Sequence, residues 1–501
     1  MINLSILLLI PLLTAVAVLL VPKAQARWMA FIGAVIQLGY SVELLLAYNK
    51  ERTAGNKAAM LFEAHHSWFS SLNIEYYVGV DGISIAMILL TAVVVLAGVL
   101  VSWNVTKLTK EFFFLIALLS MGAYGFFISL DLFALFFFLE VAVIPKFLLI
   151  GIWGSGKKEY SAMKLALMLM GGSALVLIGM LCLYLNSDTG EGAHTFNLLL
   201  LAKMHFPIEI QRIIFPFLFV GFGVFTAMFP FHTWAPDGHS SAPTAASMFL
   251  AGISMKLGGY GCLRVATFLM PEAAHEYSWI IILLSTIAII YGAFATLMQT
   301  DLKYINAYSS VSHCGFVIFG IGMLTKTAIT GAVLQMVSHG LMTALFFAAI
   351  GMIYERTHTR IVAQLGGLLK TIPFIMTIFV LAGLCSLGLP GLSGFVAEMT
   401  VFVGGWQHGE TYYRVATILA CASIVVTAVY ILRAVGSTAM GPIKNQEFLG
   451  FKDASWNERL ASVVLMVSIL IIGMAPFLLN DLIGPDTGVI MENITRGIAG
   501  K

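Results

Sequence analysis

Residues 222–261, FGVFTAMFPFHTWAPDGHSSAPTAASMFLAGISMKLGGYG, contain two apolar segments separated by a polar stretch. The first segment runs into Pro230, and the second carries one charged residue, Lys256. Inside a bilayer, a backbone leaves the helix only where protein or a water-filled cavity satisfies its freed polar groups. A central lysine costs about 3 kcal/mol on insertion scales, so we expect Lys256 to face a bundle interior. A broken helix beside a buried ionisable group is typical of an ion path.

The composition is that of a multi-pass membrane protein. Of the 501 residues, 59% are hydrophobic and 10% are charged, and the mean hydropathy is +0.94. Soluble domains carry about 25% charged residues. The net charge of +2 gives no indication of a nucleic-acid partner. The five cysteines are not grouped, and dinucleotide and phosphate-loop motifs are absent from the sequence. We therefore expect no metal, no bound cofactor and no redox centre in this chain.

Hydropathy predicts an all-α polytopic fold of about fourteen transmembrane helices. Their approximate bounds are 2–21, 28–48, 82–103, 112–130, 132–153, 161–185, 212–230, 241–268, 278–299, 303–323, 328–353, 373–405, 412–437 and 459–479. Sorting lysines and arginines by loop gives 15 on one side and 10 on the other. Since positive residues favour the cytoplasm, both termini are predicted to lie outside it.

Two of the predicted helices are expected to be broken. Helix 7 is interrupted near Pro230, and helix 12 is interrupted at GLPGLSGF, residues 388–395. The breaks lie five helices apart, and because five is odd, the matching units have opposite orientations. Such breaks indicate a transport path between inverted repeats. The predicted divisions are 1–110 (helices 1–3), 111–270 (first repeat, helices 4–8), 271–440 (second repeat, helices 9–13) and 441–501 (helix 14 and tail).

Ionisable residues occur within several predicted helices. They are Glu140, Lys146, Lys256, His313, His339 and Glu398. Burial disfavours the charged forms of lysine and glutamate, and histidine titrates near neutrality, so such groups can take up and release protons. The pattern predicts a proton relay. The structural alternatives are that the glutamates pair with cations or cap helices, and that the histidines only bond helices together.

A polar cluster follows the first break. His232, Asp237 and His239 have loosely metal-like spacing, but prolines flank them. This context favours a structural turn or a proton uptake site over a metal site.

Several motifs point to one family. They are VDGIS (80–84), FFFLE (136–140), WAPDGHSSAPTAAS (234–247), LAGISMKLGGYG (250–261), QTDLKYINAYSSVSHCGF (299–316), QMVSHG (335–340) and YERTHTR (354–360). With this order and spacing, the chain resembles the antiporter-like subunits of respiratory complex I, the proton-pumping NADH:quinone oxidoreductase. YERTHTR and the chain length are most similar to the M type, the counterpart of mitochondrial chain 4.

The resemblance implies fourteen helices in two inverted units around a hydrophilic axis. It matches Glu140, Lys256 and Glu398 to the glutamate of helix 5, the lysine of helix 8 and the glutamate of helix 12, and it matches His313 and His339 to axis histidines. It implies L-type and N-type membrane-arm neighbours, including the lateral helix of the L subunit. FMN, iron–sulfur clusters and quinone are expected in partner subunits. The implied location is the bacterial inner membrane, in contact with the lipid bilayer.

One position departs from the family pattern. The family commonly has a helix 7 lysine that pairs with the helix 5 glutamate, and Phe225 stands at that position. Lys146 lies six residues after Glu140, about 240° around an ideal helix. A bend at Pro145 could nevertheless turn it towards Phe225. We hypothesise that the Glu–Lys pair has moved onto one helix. The alternative is that Lys146 extends to the membrane surface or binds another subunit.

These observations predict a proton-translocating subunit driven by redox chemistry elsewhere. The alternatives are a subunit of a multi-subunit Na⁺/H⁺ antiporter, a subunit of a membrane-bound hydrogenase, and a scaffold without transport. The absence of a nucleotide or redox motif disfavours an enzyme acting alone.

Overall fold

The computed structural model describes residues 2–188 and 193–499, which are mostly helical. Long apolar runs favour helices because a backbone inside a bilayer must bond to itself. The α-helices are α1 (Ile6–Leu20), α2 (Lys23–Thr53), α3 (Gly82–Val101), α4 (Thr109–Ile128), α5 (Leu132–Val141), α6 (Val143–Trp153), α7 (Lys158–Asn186), α8 (Leu198–Leu201), α9 (Ile208–Phe225), α10 (Trp234–Ser241), α11 (Thr244–Phe249), α12 (Met255–Gly261), α13 (Pro271–Leu297), α14 (Leu302–Gly322), α15 (Lys326–Thr357), α16 (Pro373–Ser386), α17 (Ser393–Gln407), α18 (Thr411–Ala439), α19 (Trp456–Met474) and α20 (Pro476–Ala499). Two π-helical segments, Leu250–Ser254 and Cys262–Thr267, flank α12.

Ten helices in the described ranges are long and apolar enough to cross a membrane. They are Lys23–Thr53, Gly82–Val101, Thr109–Ile128, Leu132–Trp153, Lys158–Asn186, Ile208–Phe225, Pro271–Leu297, Lys326–Thr357, Thr411–Ala439 and Trp456–Met474. Two shorter apolar helices, α1 and α16, accompany them. Each of the fourteen predicted segments contains a helix. The multi-pass helical fold is confirmed, and the count of fourteen crossings stays a prediction.

The first predicted break is present between α9 and α10. Helical structure ends at Phe225 and begins again at Trp234. The indole of Trp234 donates to the carbonyl of Val224 at 2.9 Å. One carbonyl at the end of α9 is therefore satisfied by a side chain from beyond the break, as a backbone in a membrane requires.

The second predicted break separates α16 from α17. It contains Gly388 and Gly391, with φ of +75° and +93°. A Cβ atom at Gly388 would lie 2.8 Å from Oε2 of Glu398. Glycine is needed there because the backbone is left-handed and passes directly over this carboxylate.

The central helix of the bundle is α15, whose most apolar window is fully buried. It crosses the π-helical segment before α12 at two glycines. A Cβ at Gly340 would lie 2.7 Å from the carbonyl oxygen of Gly252, and one at Gly252 would lie 3.3 Å from that of Gly340. This close approach brings α15 against the helix that carries Lys256.

A β-hairpin follows α2, where hydropathy placed a loop. Strand β1 (Leu61–Phe69) pairs antiparallel with β2 (Ile74–Val80). The valines, tyrosines and isoleucine of β2 favour a strand. Both strands are too short to span a bilayer, so a search for long apolar segments does not detect them.

The chain continues beyond the last predicted span as the helix α20. Its Asp486 accepts hydrogen bonds from the backbone of Gly82 at 2.7 Å and from Tyr48 at 3.2 Å. The neighbouring Asp81 caps α3 and forms a buried ion pair with Arg264. These contacts fasten α20 across the start of α3.

Candidate functional site

Lys256 and His339 form a buried pair in the middle of the bundle. Nζ of Lys256 lies 2.7 Å from Nδ1 of His339, and it also donates to the carbonyl of Ala251. Both side chains are 1% exposed. The π-helical segments on either side of Lys256 widen the helix locally, a feature frequent at functional sites.

His313 continues this row of contacts from α14. Its ring centroid lies 5.3 Å from that of His339. Nδ1 of His313 is 3.3 Å from Oε1 of Glu398, and Nε2 is 3.1 Å from the hydroxyl of Ser386. The side-chain amide of Gln335 is 3.3 Å from the same Nδ1. We call Lys256, His339, His313 and Glu398 the buried axis.

The second break places Glu398 in this row. Glu398 lies on the second turn of α17 and is 4% exposed. Ser386 is the last residue of α16. The two half-helices therefore supply two of the three polar partners of His313, one from each side of the break, and Gln335 of α15 is the third.

Glu140 and Lys146 lie apart from the buried axis. Among the described contacts, neither is bonded to Lys256 or to the axis histidines. Nζ of Lys146 has no hydrogen-bond partner among the described residues, so it is not in direct contact with the carboxylate of Glu140 either. The structure thus joins four of the six predicted ionisable residues through direct contacts and leaves the other two outside this row.

The polar residues after the first break, His232, Asp237 and His239, do not form one site. Asp237 pairs with Lys164 at 2.7 Å and accepts from Tyr304 at 3.2 Å. His239 is fully buried, and neither ring nitrogen has a hydrogen-bond partner among the described residues. No group of three or more metal-ligating side chains is found in residues 2–188 and 193–499. The carboxylate of Asp237 is engaged with a lysine and a tyrosine.

A polar cavity of about 620 Å³ adjoins α10. Its lining includes Tyr160, Asp237, Tyr304 and Arg360. The residues of α10 that line this α10 cavity are Asp237, Ser240 and Ser241, in the second half of the helix.

Three charged residues near the α10 cavity were not predicted from the sequence to have a function. They are Asp301, Lys303 and Arg360. Lys303 is buried and donates to the carbonyl of Ala242 at 2.7 Å. Arg360 pairs with Asp301 at 3.2 Å and donates to the carbonyl of Ser240 at 2.8 Å. They lie in the motifs QTDLKYIN and YERTHTR. The grouping of charged residues within these motifs is the sequence feature that could have indicated them.

Comparison with known proteins decides the family. Residues 129–421, more than half of the chain, match the family model described as NADH:quinone oxidoreductase/Mrp antiporter, TM. The NADH-quinone oxidoreductase subunit M of Rickettsia bellii (strain RML369-C) is 34% identical over 457 residues, covering 91% of this chain and 90% of that relative. The chain belongs to the NADH:quinone oxidoreductase/Mrp antiporter family. The resemblance to M-type antiporter-like subunits is confirmed.

Solved structures of this family's fold are similar over nearly the whole chain. A chain of respiratory complex I from Thermus thermophilus with bound NADH gives a TM-score of 0.88 at 24% identity, covering 98% of this chain and 99% of that one. A chain of the Mrp complex from Dietzia sp. DQ12-45-1b gives 0.84 at 18% identity, covering 99% of each. At these identities, the similarity concerns the fold alone. Both matched chains come from multi-subunit assemblies, which fits an antiporter-family chain that lacks a redox motif.

Proposed function

We propose that this chain is a proton-translocating membrane-arm subunit of a complex I type NADH:quinone oxidoreductase. The observation that carries the proposal is the buried axis, in which ionisable side chains follow one another at contact distance. The relative named as subunit M, matched over 91% of this chain, supports the choice of complex. Electron transfer, with FMN, iron–sulfur clusters and quinone, belongs to the partner subunits.

The Lys256–His339 pair holds one positive charge at a time. Two positive charges 2.7 Å apart would repel strongly in a buried site. When Lys256 is charged, it donates to His339, whose Nδ1 accepts. A proton that arrives at one member therefore favours the release of the proton held by the other. Charge repulsion moves the proton along the row.

His313 transfers protons between the pair and Glu398. Its ring has a carboxylate at Nδ1 and a hydroxyl at Nε2. An imidazole can take a proton at one nitrogen and release one from the other. Glu398 then receives the proton. It lies close to the second break, where the backbone between α16 and α17 is not helical.

Protons reach Lys256 from the α10 cavity. His239 is fully buried, and its two ring nitrogens have no hydrogen-bond partner in the part of the chain that the structure describes. Such a ring can accept a proton without first breaking a hydrogen bond. The next residue along the chain, Ser240, lines the α10 cavity.

The proposed setting is the bacterial inner membrane, beside L-type and N-type subunits. The main alternative is a subunit of a multi-subunit Na⁺/H⁺ antiporter, supported by the shared family model and the Mrp fold. In that case, an ion gradient would replace redox chemistry as the drive.

Purification distinguishes the two. The assembly is isolated in mild detergent through a tag on this chain and is tested for NADH:quinone activity and iron–sulfur absorbance. We expect both to co-purify. Recovery with other membrane chains but without iron or NADH activity would favour the antiporter and would reject the proposal.

A further inference from the structure

A row of hydroxyl groups extends from one ring nitrogen of His313. Nε2 of His313 is 3.1 Å from the hydroxyl of Ser386, the last residue of α16. That hydroxyl lies 3.4 Å from the hydroxyl of Ser309 in α14, which lies 3.0 Å from the phenol oxygen of Tyr430 in α18. Three helices thus contribute one hydroxyl group each to a continuous row. We call Ser386, Ser309 and Tyr430 the hydroxyl chain.

The hydroxyl chain is buried, with its two serines 0% and its tyrosine 3% exposed. Ser309 lies one helical turn before His313 on α14, so their side chains are neighbours on that helix. In the described ranges, Nε2 of His313 has one hydrogen-bond partner, Ser386, whereas Nδ1 has both Glu398 and Gln335 beside it. Because buried polar atoms need partners, the state of Nε2 depends on this one hydroxyl group.

The hydrogen bonds of the hydroxyl chain can point in either direction, since a hydroxyl group both donates and accepts. While His313 is neutral and its Nδ1–H donates to ionised Glu398, Nε2 accepts from the hydroxyl of Ser386. When His313 is charged, Nε2–H donates to Ser386 instead. The hydrogen of Ser386 then turns to Ser309, and that of Ser309 turns to Tyr430. The reversal breaks no O–H bond, because the hydroxyl groups only rotate.

We infer that the hydroxyl chain gives Nε2 of His313 a partner in both of its charge states, and that Ser386, Ser309 and Tyr430 are positioning residues for proton transfer between His313 and Glu398. This inference rests on the proposed function. One hydroxyl group alone is not enough, because once it accepts from Nε2–H its own hydrogen needs an acceptor. With the full hydroxyl chain, the ring gains and loses charge without leaving a buried polar atom unpartnered, which would disfavour one state.

Substitutions along the hydroxyl chain test this inference in inverted membrane vesicles, with NADH:ferricyanide activity as the measure of assembly. We expect Ser386→Ala to reduce NADH-driven proton pumping about tenfold, which corresponds to about 1.4 kcal/mol. Tyr430→Phe, at the far end, is expected to reduce pumping about threefold. Added to Ser386→Ala, Tyr430→Phe should cause no further loss, because the phenol acts through the serines.

Two further comparisons separate this role from a purely structural one. Ser386→Thr keeps a hydroxyl group beside Nε2, and we expect it to retain at least half of the pumping. Ser310→Ala is the matched control for Ser309→Ala. Both serines are 0% exposed on α14, but the hydroxyl of Ser310 donates to the carbonyl of Asn306 in its own helix at 2.9 Å. We expect pumping to fall in Ser309→Ala and to stay at the wild-type rate in Ser310→Ala.

Three results would overturn the inference. They are wild-type pumping by Ser386→Ala, equal losses in Ser309→Ala and Ser310→Ala, and a loss in Tyr430→Phe that multiplies with the loss in Ser386→Ala. If Ser386→Ala does not assemble, the two α14 variants decide the question. Wild-type vesicles that do not pump with NADH would instead refute the proposed function.

Discussion

The substitution of Lys256 by methionine removes the charge that drives the proposed relay. At the observed 2.7 Å, two positive charges repel by about 6 kcal/mol for an effective dielectric constant of about 20. Moving one charge against 100 mV costs about 2.3 kcal/mol. The repulsion therefore exceeds the cost of the voltage by about 4 kcal/mol, so a proton that arrives on Lys256 can displace one from His339 against the membrane potential.

Without Lys256, that excess is lost. Each 1.36 kcal/mol corresponds to a factor of ten in rate, so a loss of about 4 kcal/mol slows the step by about a thousandfold. In the proposed assembly, the L-type and N-type neighbours pump protons as well. We therefore expect proton pumping per NADH to fall in part, and NADH oxidation under a membrane potential to slow about tenfold or more.

The assay is acridine dye quenching in inverted vesicles, with NADH:ferricyanide activity as the measure of assembly. Lys57→Met, at an exposed lysine, is the matched control. Lys256→Arg separates a relay from a fixed charge, since arginine stays protonated. We expect arginine to fail as methionine does. Pumping at the wild-type rate with either substitution would refute the relay.

Two further outcomes follow from the structure. Gly388→Ala places a Cβ 2.8 Å from Oε2 of Glu398 in a left-handed backbone, which costs about 1–2 kcal/mol. We expect a lower thermal midpoint and weaker pumping. Burial raises the pKa of Asp486 from 3.8 to about 7, and the negative charge of Asp81 contributes to this increase. A raised pKa in the docked state stabilises docking at low pH, and this stabilisation is lost as the pH rises from about 4 to about 7. A spin label on α20 should show looser docking over that range, and Asp486→Asn should remove the pH dependence.

The breaks of the two helices could be predicted because their causes are local. Pro230 and the glycines of residues 388–395 disfavour helix wherever the chain places them. The burial of Lys256 was also predictable, because a charged residue in a long apolar segment must face the bundle interior. Composition and spacing were enough for these features.

The contacts within the buried axis could not be predicted. Lys256 and His339 are 83 residues apart, and they meet only because Gly252 and Gly340 let two helices touch. That contact depends on how the whole bundle packs. The hairpin β1–β2 was missed because short strands have a weak hydropathy signal. The docking of α20 was missed because it depends on contacts of Asp486 with Tyr48 and Gly82, which lie far away in sequence.

The turn at Ala142, between α5 and α6, could be predicted only in part. Pro145 indicated a bend in the fifth helix, and the structure has a break at the residue after the carbonyl that Pro145 leaves unbonded. The sequence could not decide where Lys146 would point after the bend. In the structure, the side chain of Lys146 is buried, and its Nζ lies 6.0 Å from the ring centroid of Phe225 in α9.

The central claim is that redox chemistry in partner subunits drives protons through this chain. The most direct measurement is the internal pH of liposomes that contain the purified assembly, first after adding NADH and quinone and then, separately, after imposing a sodium gradient. The claim predicts a pH change with NADH that an uncoupler abolishes, that Glu398→Gln reduces, and that sodium alone does not produce. A pH change driven by the sodium gradient, with none after NADH, would contradict it.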